Sequence, residues 1–376
     1  MRITIVLGAF LPVPPIMGGA VEKAWFALGQ ELARRGHEVV QISRALPELA
    51  RTEMIEGVRH IRVPGYDTPG SLLWLKTLDF FYSLRAKNAL PLSDILVTNT
   101  FWLPMFLRNA TRGRLYVHVA RYPKGQMRFY RHSARLQAPS NSIVQAIVGE
   151  VPGMKSKITK IPYPRPNAAG EGVPPFSTRE QKIIYVGRLH PEKGVHLLVG
   201  AITDGPWKLV IIGPWEHQLG GGGEGYWREL RALAAKKDGL VEFRGPIFEP
   251  EKLEFEFRTA RLFVYPSLAE QGETFGLAPL EAMTQGCPVL VSNLECFHDF
   301  IRDGETGFIF DHRAANPGAT LRSKITDLIA NESLLARVAE AGYRQSEEYA
   351  LPRVADQFIQ DFKAVIEDSH GRDADR

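Results

Sequence analysis

The chain has 376 residues, long enough for two domains, and its 44% hydrophobic and 23% charged content is that of a globular protein, not a disordered or fibrous one. Two cysteines, Cys287 and Cys296, exclude a disulfide framework and lead us to expect a reducing, cytosolic compartment. The net charge of +4 hides an asymmetry: residues 1–164 hold 22 Lys and Arg against 10 Asp and Glu, whereas residues 165–376 hold 24 against 32.

The opening RITIVLGAF reads as a first buried strand. A secretory leader is the alternative for a basic start and an apolar run, but Pro12, Pro14 and Pro15 interrupt that run. In GGAVEKAWFALGQELARRGH, Val21, Trp25, Leu28 and Leu32 recur at helical spacing and Gly36 stops the helix. EVVQIS, IRVP, ILVTN, LYVHVA and RLQAPS are further strands separated by helical patterns, which predicts a parallel sheet covered on both faces. SLLWLKTLDFFYSLRAKNAL could lie on a membrane surface, but a buried crossover helix gives the same pattern and is the expected reading. No apolar stretch approaches the length of a membrane span. Between Asp94 and Glu150 there is no acidic residue, while eight are basic, Arg121 and Lys124 among them. Such a surface suits an anionic partner; the alternatives are a basic surface of no consequence or one neutralised across an interdomain cleft. No nucleic-acid fold motif accompanies the charge, so nucleic acid is not an expected partner.

The proline-rich IPYPRPNAAGEGVPPFSTREQ reads as a linker, placed at residues 165–178 between a first domain of residues 1–164 and a second of 179–353. The alternation then restarts with strands KIIYVGRL, WKLVIIG, VEFRG, RLFVYPS and PVLVS and helices at HLLVGAI, REL to KK, and LAPLEAMTQG. Two doubly wound domains would place a cleft between the carboxyl ends of their sheets, where such sheets bind ligands. The run GGGG at 220–223 is expected to be a mobile loop, with no helix directly after it to make a phosphate cradle.

Four stretches carry candidate chemistry. In YVGRLHPEKG, Arg188 and Lys193 follow a strand end, and two cations beside a turn suit a nucleotide diphosphate whose charge must be offset as it departs. In ETFGLAPLE, Glu273 and Glu281 frame Gly276, which permits close backbone approach, and a helix start whose amides favour phosphate. A glycosidase acid/base pair is the alternative for two carboxylates, but one helix is poorly suited to flanking a scissile bond. Gly18 and Gly19 also precede a helix. His118 ends a strand and is therefore expected to point toward the cleft, with Arg121 and Lys124 just beyond as candidates for an anionic acceptor.

These stretches, densest from Ile183 to Phe310, resemble family 4 of the retaining glycosyltransferases of the GT-B fold, and ETFGLAPLE matches that family's EX7E motif. The resemblance implies two Rossmann-like domains facing across a cleft, with a helix at about 354–370 returning to the first. It implies that Arg188 and Lys193 contact the donor diphosphate, that Glu273 lies near the transferred sugar and that Glu281 hydrogen-bonds the ribose. Gly18, Gly19, Gly187, Ile247, Thr274, Phe275, Gly276 and Leu277 are the further donor-side positions it implies, and His118 touches donor sugar or acceptor. The loop NLECFHDFI departs from the family's glycine pair, so the sugar preference does not carry over. Glu270 is read as a loop charge. The Asp-x-Asp at Asp373 to Asp375 lies in a polar tail, so no metal or other cofactor is expected. The implied function is retaining transfer of a sugar from a nucleotide diphosphate sugar to a hydroxyl of a carbohydrate, lipid-linked or other acceptor. Its setting would be surface polysaccharide or glycoconjugate synthesis in the cytoplasm, with peripheral contact at the inner membrane face left open. A nonhydrolysing sugar-nucleotide epimerase and a non-catalytic sugar-nucleotide-binding protein are the alternatives.

Overall fold

The computed structural model describes residues 1–107, 110–165 and 173–374. Most of the expected linker, at 166–172, and Asp375 lie outside the described residues. The first half runs β1 (Arg2–Val6), α1 (Ala20–Arg34), β2 (Glu38–Ala45), β3 (Thr52–Ile55), β4 (Val58–Pro64), α2 (Leu72–Asn88), β5 (Ile95–Thr98), α3 (Leu103–Phe106), β6 (Arg114–His118), β7 (Arg135–Ala138), α4 (Asn141–Glu150) and β8 (Ile158–Lys160). The second runs β9 (Glu180–Val186), α5 (Val195–Ala201), β10 (Lys208–Ile212), α6 (Gly223–Ala234), β11 (Val241–Phe243), α7 (Pro250–Thr259), β12 (Ala260–Tyr265), α8 (Leu277–Thr284), β13 (Val289–Ser292), β14 (Phe308–Phe310), α9 (Pro317–Ile329) and α10 (Glu332–Ser346). A last helix, α11 (Leu351–Ala374), closes the chain. Two compact units result: Met1–Pro164 with Ala350–Arg376, and Arg165–Tyr349.

The first unit is an eight-stranded sheet in the order β3-β4-β2-β1-β5-β6-β7-β8, parallel except for the antiparallel β3–β4 pair. Along β1 the alternation is strict. Ile3 and Ile5 face a core shared with Trp25 and Leu28 of α1 and Phe358 and Phe362 of α11, while Val6 faces a second core with Tyr82, Leu96 and Ile143. Both faces are therefore buried, which is why β1 reads as a hydrophobic run interrupted only by the buried Thr4. The β3–β4 hairpin, absent from the sequence expectation beyond IRVP, turns on Glu56 and Gly57, both at positive φ (47° and 78°). Two such residues make the turn whose twist matches paired strands.

α2 is a crossover helix, but it is not the buried one expected. Only one stripe faces inward, Asp79, Tyr82, Ser83 and Ala86, and Leu72, Leu73, Trp74, Phe81 and Leu84 are exposed. Among the described residues no helix is long and apolar enough to cross a membrane.

The second unit is a six-stranded sheet in the order β11-β10-β9-β12-β13-β14, parallel throughout. Strand order reverses beside β9, the first strand of the unit. That is the switch point at which doubly wound sheets leave a crevice beyond their carboxyl ends.

Candidate active site

Because all six strands of the second unit run parallel, their following loops gather at one edge. The loops after β9, β10 and β11 are tied in series. The Gly187 amide donates to the Ile212 carbonyl and the Gly213 amide to the Gly245 carbonyl, each at 2.9 Å. Ile247, two residues further, is half-buried at this edge.

Beyond Gly187, the chain makes a 3-10 turn, Pro191–Lys193, that carries Lys193 inward. Its ammonium lies 2.6 Å from the Glu273 carboxylate, with the two side chains only 6% and 11% exposed. Glu273 also accepts the Ser267 hydroxyl at 3.0 Å. The Lys193 ammonium sits 5.7 Å from the centre of the Tyr265 ring, which in turn stacks on Tyr185. Burial works against this ammonium, yet the charge and hydrogen bond of Glu273 outweigh it and hold Lys193 above its ordinary value. A fixed, charged ammonium is thus presented beside a carboxylate at the switch point.

Arg188 differs in kind. Its side chain is 44% exposed, donating to the Gly220 carbonyl at 2.6 Å and to Glu192 at 3.0 Å. The tetraglycine that receives it is a built turn, not the mobile loop expected. The Gly221 amide donates to Glu216, Gly222 to Leu189 and Gly223 to Trp215, at 2.8–2.9 Å. Contrary to the sequence reading, α6 starts at Gly223. Side chains are excluded here by contact: a Cβ on Gly221 would lie 2.2 Å from the Trp215 backbone.

After β12 the stretch from Glu270 to Met283 divides into parts with separate duties. Glu270 is a latch: Arg313 grips both its oxygens at 2.7 Å, and His312 approaches one at 2.9 Å. Gly276 has φ 98°, and a Cβ there would meet the Phe297 ring at 2.4 Å, so only glycine lets the chain turn into α8 over that ring. Phe297 belongs to the NLECFHDFI loop, which here supports the turn in place of a glycine pair. Phe275, implied as a donor contact, has a buried side chain, packed on Phe300 and Tyr349. Thr274 and Leu277 are half-buried on either side of it. Glu281 lies in α8 and is 9% exposed.

In the first unit, Gly18 and Gly19 (φ 77° and 98°) lead into α1, whose first turn holds Glu22. Glu22 is buried, and burial pushes its carboxyl up to about 7 against its own backbone amide and the charge of Arg121. Arg121 and Lys124 are exposed in the loop after β6. His118 is not the cleft-facing group expected. It is 2% exposed, with Nδ1 directed at Gln137 Oε1 and Nε2 2.9 Å from the Tyr163 hydroxyl. Burial holds the imidazole down at about 4, so it is neutral and serves the interior. Contact with a sugar would require Tyr163 to release it.

Glu22 gives a pH signature. Its folded value lies above its unfolded one, so between about pH 4.5 and 7 the folded state binds the extra proton and stability falls as pH rises. Glu22→Gln is expected to flatten that decline and to stabilise the chain above pH 7 by up to ~3 kcal/mol, read from denaturant midpoints across the range. Unchanged pH dependence would place Glu22 in contact with water.

The sequence reading missed Ser267, Glu192 and the Arg313 latch. The signal for Ser267 is its position two residues past β12, at the same edge as Lys193. Nothing in spacing foretells Arg313, 43 residues from Glu270.

Residues 171–345 match the family model described as Glycosyl transferases group 1. Over 96% of this chain and 98% of the relative, the sequence is 24% identical to spore coat protein SA of Bacillus subtilis. Over 49% of this chain it is 30% identical to phosphatidyl-myo-inositol mannosyltransferase of Mycobacterium leprae, an alignment that spans 46% of that protein. Among solved structures, sucrose-phosphate synthase from Thermosynechococcus elongatus superposes with a TM-score of 0.78 over 98% of this chain and all of that one, at 19% identity. HepE from Anabaena, solved with UDP and glucose, gives 0.71 at 17% identity, covering 96% of this chain and 99% of that one. With two parallel-sheet Rossmann-like units the chain has the GT-B fold of these structures, and its residues 171–345 are similar to the group 1 glycosyl transferases.

Proposed function

We propose that the chain transfers a sugar from a nucleotide diphosphate sugar to an acceptor hydroxyl with retention of anomeric configuration. The observation that carries this reading is the Lys193–Glu273 pair, nearly buried at the switch point of the second sheet, with Arg188 on the same loop. The sugar's anomeric C–O bond to the diphosphate breaks as the acceptor oxygen bonds to the same face, and the departing phosphate oxygen takes the acceptor proton. Lys193 and Arg188 oppose the charge that grows on the leaving diphosphate. These cations do what a metal does in other transferases, so turnover is expected without added metal. Glu273 lies near the sugar and holds Lys193 in place; Glu281 hydrogen-bonds the ribose. The donor belongs to the second unit and the acceptor to the first, where Arg121 and Lys124 suit an anionic group. HepE, solved with UDP and glucose, and the mannosyltransferase relative support a hexosyl donor. Synthesis of a surface polysaccharide or glycoconjugate on the cytoplasmic side is the setting this reading favours.

The test is thermal stabilisation by uridine, guanosine, adenosine and thymidine diphosphates without metal. One base is expected to raise the melting temperature, and Glu281→Ala to abolish the shift. The matching sugar nucleotide, incubated with acceptor, should then give a product whose anomeric proton coupling equals that of the donor. Inversion would exclude the retaining mechanism, and no shift with any nucleotide would exclude the donor site.

A further inference from the structure

The exposed side of α2 is the strongest feature of the molecule that glycosyl transfer leaves unexplained. Leu72, Leu73, Trp74 and Phe81 are between 48% and 73% exposed, and Leu84 is 37%. The inward stripe is Asp79, Tyr82, Ser83 and Ala86, so Leu73, Trp74, Phe81 and Leu84 fall on the outward face, with the exposed Lys76 and Lys87 along one edge of it. A crossover helix normally turns mixed charges to water on that side. This one turns out large apolar groups with two lysines flanking them on one side. Its only carboxylate, Asp79, is directed inward, accepting the Phe101 and Trp102 amides at 3.0 and 3.2 Å.

The same chemistry continues beside the helix. Phe80 packs edge-on against Trp102 and Phe106, the Trp102 indole donates to the Lys76 carbonyl, and the Lys76 ammonium lies 4.8 Å from the centre of the Phe101 ring. Residues 95–149, which supply these aromatics, contain no acidic residue. α2 follows β4, so its first turn lies at the carboxyl edge of the first sheet, the edge from which Arg121 and Lys124 also project.

We propose that this face of α2 docks on an anionic lipid bilayer. Leucine, tryptophan and phenylalanine enter the headgroup boundary, while Lys76 and Lys87 extend to lipid phosphates, as amphipathic interfacial helices do. A second copy of the chain fits poorly. Two-fold pairing would set Lys76 and Lys87 and the acid-free segment against their own like charges. Docking itself does not depend on the transferase reading. Only its consequence does: an acceptor whose anionic group lies in the lipid plane would meet the edge that carries Arg121 and Lys124.

Flotation of the full chain with vesicles of phosphatidylcholine alone, or of phosphatidylcholine and phosphatidylglycerol in equal parts, tests the docking without any sugar nucleotide. The chain is expected to float with the mixed vesicles and to be released by high salt. The triple variant Leu73→Ser/Trp74→Ser/Phe81→Ser should lose binding by at least about tenfold, and Lys76→Gln/Lys87→Gln by several-fold. Melting by circular dichroism confirms that these surface variants fold. No flotation of the parent chain, or equal flotation of the triple variant, overturns the proposal. So does a parent dimer in lipid-free sedimentation that the triple variant converts to monomer, which would assign the face to a second copy.

Discussion

Lys193→Ala is expected to slow sugar transfer by ~10²–10³-fold and to destabilise the second unit at the same time. The two effects have different origins. The kinetic loss comes from removing a fixed cation placed to meet charge that develops only as the diphosphate leaves. The stability loss comes from Glu273, which keeps the Ser267 hydroxyl but loses its ammonium in a site where both side chains are nearly buried. Breaking such a pair from one side costs about 3–5 kcal/mol. The double variant Lys193→Met/Glu273→Gln separates the two, because it removes both charges together. Its melting temperature should recover toward the parent value while turnover stays low. Near-parent turnover in Lys193→Ala would remove the residue from the mechanism. The pH dependence has a definite sign. A lysine raised in the folded state contributes stability that is complete below its unfolded value, near 10.5, and is lost as pH climbs through the folded one. The lysine's contribution should therefore be constant across neutral pH and be lost in alkaline melts.

Gly194→Ala should be nearly as damaging, from the backbone side. Gly194 stands between Lys193 and α5 at φ 65°, and a Cβ there would lie 2.0 Å from the Pro266 carbonyl oxygen. That carbonyl is backbone, not a side chain that can swing away. The loop after β9 and the loop after β12 would have to separate, and these are the two segments that bring Lys193 to Glu273. A cost of ~2–3 kcal/mol is expected, which in a unit of this size lowers the melting temperature by about 4–12 °C. Donor affinity should fall with it. Gly200→Ala is the control. It lies in the same helix with open space around its Cβ position, so alanine there should be neutral or mildly stabilising. Equal melting of the two variants would mean that the loop after β12 yields.

The strands that cross the middle of each sheet are legible in the sequence because burial on both faces gives them apolar cores; IIYV of β9 and LVII of β10 are examples. Edges are harder. β3 presents alternate exposed residues in only four positions, and β14 has three residues in all, too few to establish a period. α2 misleads for a physical reason. A helix apolar on all sides has no sequence mark for which side is inside, and here the packed stripe contains an aspartate while the exposed one contains leucines. The cations of the candidate site, Arg188 and Lys193, can be found from motif spacing, and so can Glu273. That Lys193 and Glu273 touch across 80 residues cannot, since contact is a property of strand order. His118 fails in the same way: its partner Gln137 comes from the adjacent strand and Tyr163 from beyond β8, and neither is visible in the local sequence.

The return of α11 to the first unit bears on how the protein is made. Trp25 of α1 and Tyr116 of β6 complete their packing only against Phe358 and Phe362, and the Tyr116 hydroxyl finds its acceptor in Asp361. During synthesis the amino-terminal unit emerges first yet is finished last, because one face of its sheet stays open until the final helix leaves the ribosome. The intervening unit, continuous from Arg165 to Tyr349, carries its whole core in one stretch and can fold while translation proceeds. A chain released before residue 351 would thus hold a finished second unit and an unfinished first one.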